Sequence, residues 1–113
     1  MLKYFNHSEF TCSCCGRVDM DIDFLLKLDK ARMIADTSFI ITSGYRCLKH
    51  NAEINSTSKN HPSGHAADIL CRVGLTRIRI LTGLIKAEFT RIGIRKDFIH
   101  VDDMDSVDSC WLY

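Results

Sequence analysis

Two short stretches of this 113-residue chain combine residue types that hold metal ions and move protons. The first is His61-Pro62-Ser63-Gly64-His65-Ala66-Ala67-Asp68, which sets an imidazole and a carboxylate seven positions apart. Zinc accepts both donor types, and a catalytic zinc takes three protein ligands with one position left for water. Gly64 permits the backbone to fold back so that His61 and Asp68 converge, and small Ala66 and Ala67 leave room beside an ion. The second stretch, Asp97-Phe98-Ile99-His100, offers a third ligand in His100. Alternate residues of a strand share a face, so His100 and Phe98 are expected to point the same way. Asp97, at the start of that strand, could take the proton of an attacking water and deliver it to a leaving amine. Spacing alone leaves a plainer alternative open. Loop histidines are commonly just solvated, and Asp68 would serve equally as a turn or cap residue.

The elements that must position these groups are legible in outline. Ile22, Leu25, Leu26, Leu28 and Met33 recur among charged residues over Asp21 to Ala35, the spacing of an amphipathic helix, with Asp19, Asp21 and Asp23 at its positive end. Phe39 to Thr42 reads as a short strand ending in a turn at Ser43-Gly44. A short helix fits Leu48 to Ile54. Asn55 to Gly64 is loop chemistry, rich in Ser, Thr, Asn, Pro and Gly. Ala66 to Val73 reads as a buried strand, and Leu75 to Phe89 carries Leu75, Ile78, Leu81, Leu84, Ile85 and Phe89 at helical spacing. Strands near Ile92 to Arg95 and Phe98 to Val101 follow. Together these predict a single α+β domain over residues 1–113, a short and mostly antiparallel sheet with helices on one side and the metal site at the sheet.

The totals narrow the function classes. An apolar fraction of 46% and a charged fraction of 26% are ordinary for a globular domain. Fifteen basic against fourteen acidic residues leave a net charge of +1, which gives no electrostatic reason to expect nucleic acid or an anionic membrane as partner. No apolar run is long enough to span a bilayer. Residues 1–10 lack the apolar core of a signal peptide, so a cytoplasmic protein is expected, one that reaches the cell wall only if another machine releases it. A monomer is the default.

Ordered along the chain, Ser43-Gly44-Tyr45-Arg46-Cys47, His50-Asn51, His61 through Ile69 and Phe98-Ile99-His100-Val101-Asp102 resemble the D-Ala-D-Ala carboxypeptidase-type zinc peptidases. That family includes small phage-type murein peptidases and, more distantly, vancomycin-resistance dipeptidases. Its pattern is Ser-Gly-Tyr-Arg, then Ser-x-His-x-x-Gly-x-Ala-x-Asp, then a carboxylate three residues before a final His. Glu9-Phe10-Thr11-Cys12, with Cys14, Cys15 and Gly16, is similar to the small phage-type members. The resemblance implies a fold shared with the Hedgehog signalling domain, His61, Asp68 and His100 as zinc ligands, Asp97 as general base and Arg46 as a clamp for developing negative oxygen. A guanidinium suits that last task, because it keeps its charge and offers a fork of donors. The implied reaction is hydrolysis of a peptide bond in peptidoglycan stem peptides, as a DD-carboxypeptidase or an L-Ala-D-Glu endopeptidase. One departure stands out. Where the family has Ser two residues before the first ligand, this chain has Lys59, with Ser58 one step further off.

Other residues admit bland readings. His65 is expected to face solvent or substrate, His50 to be a helix or turn residue, and His7 to lie on the surface. Asp102 and Asp103 are candidates to orient His100 by hydrogen bonding. Trp111 and Tyr113 are expected to close the core, with a cleft wall as the alternative. Six cysteines are many for this length. Cys12, Cys14 and Cys15 are expected to pack as small apolar groups, with a second metal shared with Cys47, or a disulfide from Cys12 or Cys14 to Cys47 or Cys71 in an oxidising compartment, as alternatives. A zinc-stabilised binding module that cleaves nothing, and a cysteine-based metal or redox protein, are the competing functions.

Overall fold

A computed structural model describes residues 2–54 and 60–113 of the chain. A 3-10 turn over His7–Phe10 is followed by α1 (Ile22–Ala35), β1 (Ile41–Ser43), α2 (Leu48–Glu53), β2 (Ala66–Leu70), α3 (Gly74–Lys86), β3 (Arg91–Ile94), β4 (Phe98–Asp102) and β5 (Ser109–Leu112). The architecture is α+β. Its five strands form one sheet in the order β1-β2-β4-β3-β5. β1, β2, β4 and β3 run antiparallel in succession, and β5 joins the edge parallel to β3. No helix is long and apolar enough to cross a membrane among the described residues.

Strand alternation divides the sheet into two chemically distinct faces. Ala67 and Ile69 of β2, Ile99 and Val101 of β4 and Ile92 of β3 enter the main apolar core. α1 contributes Phe24, Leu25, Leu28, Ala31 and Ala35 to that core, and α3 contributes Ile80 and Leu84. Both long helices therefore cover the same face of the sheet. The intervening residues, Asp68, His100 and Asp102, point to the opposite face, where no long helix lies. Asp21 begins α1 by accepting a hydrogen bond from the Phe24 amide at 2.9 Å, satisfying one of the free N–H groups of the first turn.

Most boundaries differ from the sequence expectation by one to three residues, but two differences are larger. β5 was not expected at all. The apolar pattern assigned to α3 is only partly right, since Leu84 and Phe89 enter the core and Leu81 packs against it, while Leu75, Ile78 and Ile85 are exposed and Ile80 and Gly83 are buried instead. Gly83 faces α1. A side chain there would collide with the backbone carbonyl of Ala31, so the closest approach of α3 to α1 is at its glycine. Ser58 and Lys59, singled out in the sequence, lie outside the described residues, as does most of the polar loop before them.

Candidate metal centre

The face opposite the helices carries one row of residues running straight across the strands. Ser43 of β1 pairs with Asp68 of β2, Asp68 with His100 of β4, His100 with Gly93 of β3, and Gly93 with Trp111 of β5. His61 reaches the row from the turn before β2. Gly64, at φ +80°, makes that turn possible, and its amide donates to the His61 carbonyl at 3.2 Å. His61, Asp68 and His100 are all buried, and each offers a donor atom within 4.8 Å of the other two.

Hydrogen bonds on the far side of each imidazole decide which nitrogen faces that meeting point. His61 Nδ1 lies 2.8 Å from the Gly44 carbonyl oxygen, which can only accept, so Nδ1 carries the proton. Its free lone pair is then on Nε2, 3.4 Å from Asp68 Oδ1. His100 is held the other way round. Its Nε2–H donates to Asp102 Oδ2 at 2.7 Å, which leaves Nδ1 facing Asp68 Oδ1 at 2.9 Å. Two imidazole nitrogens and one carboxylate oxygen therefore converge with their tautomers fixed from outside. This donor set fits a catalytic zinc, and carboxylate or carbonyl partners behind the histidines are the usual means of aiming them.

The charges respond to that proximity in the metal-free protein. Burial opposes a charge on His100, but its bonds to Asp102 and Asp68 outweigh burial and raise its pKa to about 9. Burial likewise opposes the charge of Asp68, yet His100 and His61 hold its pKa down at about 2. Asp102 is fully buried and shifted downward against its burial, by His100, Arg91 and the Met104 amide. It binds four groups at once: His100, Arg91 Nε at 2.6 Å, Asn60 Nδ2 at 3.1 Å and the Met104 amide at 3.1 Å. The sequence pointed to Asp102 and Asp103 together, and only Asp102 touches His100. Asp103 holds His65 instead, at 2.7 Å. Arg91 and Asn60 were not anticipated, and a strand-edge arginine and a loop asparagine carry no sequence signal for this task.

An open cavity of about 340 Å³ lies over the three donors, lined by Arg46, Asn60, His61, Asp68, Phe98, His100, Trp111 and Tyr113. Arg46 reaches it from the loop after β1, with one guanidinium nitrogen 3.0 Å from Ser43 Oγ and another 3.1 Å from Asn51 Oδ1. Phe98 shares the cavity with His100, as strand alternation requires. Asp97 does not line it. Its side chain is half-exposed, with Oδ1 3.7 Å from Arg95 Nε. Trp111 and Tyr113 belong to the cavity wall and not to the core, because Trp111 sits in the same cross-strand row as His100 and Gly93 on the edge strand β5, and Tyr113 follows directly. The Trp111 indole packs 5.6 Å from the His100 ring, above Gly93, where an added Cβ would sit 2.5 Å from Nε1.

A family model described as Peptidase M15 matches residues 3–102, which contain every member of this constellation except Trp111 and Tyr113. The chain belongs to that family. M15 peptidases are zinc-dependent, so the chain is a metallopeptidase whose substrate is a peptide. Searches of curated proteins and of solved structures found no match. β5 and the aromatic wall it supplies lie beyond the matched residues of this peptidase.

Proposed function

We propose that this peptidase hydrolyses a peptide bond in peptidoglycan stem peptides, with zinc held by His61 Nε2, Asp68 Oδ1 and His100 Nδ1. The fixed tautomers of the two histidines carry the assignment, since each imidazole is braced so that only its inward nitrogen is free to bind. When bound there, zinc acts as a Lewis acid toward the scissile carbonyl and lowers the pKa of water.

The remaining work falls to the chain. Arg46, on the cavity wall beside the donors, presents a permanent positive charge to the oxygen that becomes negative as the carbonyl is attacked. Ser43 and Asn51 keep its guanidinium in place. Asp97 is the general base. It directly precedes β4, three residues before His100, and its buried Oδ1 has no hydrogen-bond partner among the described residues. To accept a proton in the cavity, which it does not line as it stands, Asp97 must turn away from Arg95. Trp111, Tyr113 and Phe98 give the stem peptide an apolar wall.

The test is metal content and release of free amino groups from purified peptidoglycan, for wild type, His61→Ala and Asp97→Ala. The expected outcome is cleavage by the wild type alone, with histidine-site zinc lost in His61→Ala and retained in Asp97→Ala. Cleavage undiminished in Asp97→Ala would remove Asp97 from its role. A zinc-loaded wild type that binds stem peptide and leaves it intact would point to a binding module instead.

A further inference from the structure

A second set of metal-binding side chains gathers away from the histidine site, and the peptidase chemistry makes no use of it. Cys12, Cys15 and Cys47 bring their sulfur atoms within 4.8 Å of one another. Cys14 lies in the same turn, between Cys12 and Cys15. It also approaches His50 and Glu53 on α2. The other two cysteines stay apart. Cys71 is buried in the main core and Cys110 lies on β5.

The backbone around the cluster has the form that such a site needs. Cys12-Ser13-Cys14-Cys15-Gly16 makes a tight turn in which the Gly16 amide donates to the Cys12 carbonyl at 3.0 Å. The Cys12 amide donates to the Arg17 carbonyl at 2.7 Å, closing the turn. Gly16 sits at φ +73°, a conformation that side chains disfavour. A two-residue spacing between cysteines is the usual spacing of paired zinc ligands, and here it brings Cys12 and Cys15 together. Two sulfurs also accept backbone amides, Cys12 from Cys47 and Cys47 from His50, both at 3.4 Å. Burial opposes a charge on Cys12. The amides of Cys47, Cys15 and Cys14 overcome it, bringing the thiol to about 6, where the thiolate dominates at neutral pH.

We propose that Cys12, Cys15 and Cys47, with the exposed Cys14 turning in as the fourth ligand, bind a structural zinc ion distinct from the one at the histidine site. Four thiolates close a tetrahedral shell and leave no position for water, so this ion has no catalytic task. Binding displaces the remaining thiol protons to solvent. The ion ties the segment before α1 to the loop after β1. That joint already contains the hydrogen bond from the Tyr45 amide to the Phe10 carbonyl at 2.8 Å. Cys47 directly follows Arg46, so the same ion steadies the backbone from which the cavity arginine extends.

The experiment is zinc stoichiometry, together with cobalt(II) substitution, on protein purified under reducing conditions. Cys14 and Cys15 are exposed, so Cys14→Ser and Cys15→Ser are compared with wild type and His61→Ala, and circular dichroism verifies the fold. Two metals per wild-type chain are expected, and one in each of Cys15→Ser and His61→Ala. Sulfur-to-cobalt charge-transfer absorption should persist in His61→Ala and vanish in Cys15→Ser. Wild-type protein that binds one metal per chain and shows no such absorption overturns the proposal. So does a disulfide joining Cys12 to Cys15 or Cys47 under those conditions. Failure of wall hydrolysis with both metals in place would count against the proposed substrate and leave this site standing.

Discussion

Replacing Asp102 with Asn separates the charge of this buried carboxylate from its shape. The residue is fully buried and binds His100 Nε2 at 2.7 Å and Arg91 Nε at 2.6 Å. An asparagine keeps the volume but can turn its NH2 group toward His100. That amide would donate to Nε2 and drive the imidazole proton onto Nδ1, the nitrogen that must be free for the metal. Losing a partner of this kind costs about 10- to 100-fold in metal affinity, or about 1.4 to 2.8 kcal/mol. The assay is competition for zinc against a chromophoric chelator in a Cys15→Ser background, so that only the histidine site is read. Asp103→Asn is the control, because Asp103 bonds His65 and leaves His100 alone. Asp102→Asn should lose affinity while Asp103→Asn stays within about twofold of the parent, a difference of about 0.4 kcal/mol. Equal affinity in all three proteins would refute the argument that Asp102 sets the tautomer of His100.

Three further outcomes are expected. In the metal-free protein His100 titrates at about 9, above its ordinary value of 6.5, so the stability it contributes is complete below about pH 6.5 and fades as pH rises toward 9. Asp68, held at about 2 against an ordinary 3.8, contributes above about pH 4 and loses that contribution as pH falls toward 2. Urea midpoints measured across pH should therefore decline on both sides of a window of about pH 4 to 6.5, and a flat profile through pH 9 would contradict the His100 pairing. Leu84→Ala should cost about 2–5 kcal/mol in urea unfolding while Leu75→Ala stays within about 0.5 kcal/mol, because Leu84 is fully buried and Leu75 is 64% exposed. Gly93→Ala should push the Trp111 indole off its seat and raise KM for stem peptide, with zinc affinity of the histidine site unchanged.

How far the sequence foretold this arrangement depended on whether each signal was local. The strands carrying Asp68 and His100 were legible because each has alternating faces, and Phe98 appears beside His100 in the cavity as alternation demanded. α1 was legible as a helix from the aspartates at its positive end, but of the apolar residues expected to line it only Leu25 and Leu28 are buried, while Ile22, Leu26 and Met33 are exposed. α3 misled because its apolar residues occur on more than one side, and the contact that orients it belongs to a glycine, which no hydrophobic pattern registers. β5 was missed because Ser109-Cys110-Trp111-Leu112 is short, and its parallel pairing with β3 is not signalled by any hairpin turn. The four partners of Asp102 come from the loop before β2, from β3, β4 and the turn after it, so their meeting is a property of the closed sheet alone.

The position of Trp111 gives the protein an optical reporter of its own. It is the chain's single tryptophan, and its indole lies 5.6 Å from His100 and 5.4 Å from the Arg91 guanidinium. A charged imidazolium accepts an electron from an excited indole and quenches its emission, so the metal-free protein at neutral pH should be dim. Loading the histidine site exchanges that proton for an ion and changes the emission of one known residue, without any label. Because the same indole walls the cavity, a docking peptide strips water from it and shifts the emission to shorter wavelength. Stopped-flow fluorescence can then time metal capture and substrate arrival separately, on unmodified protein.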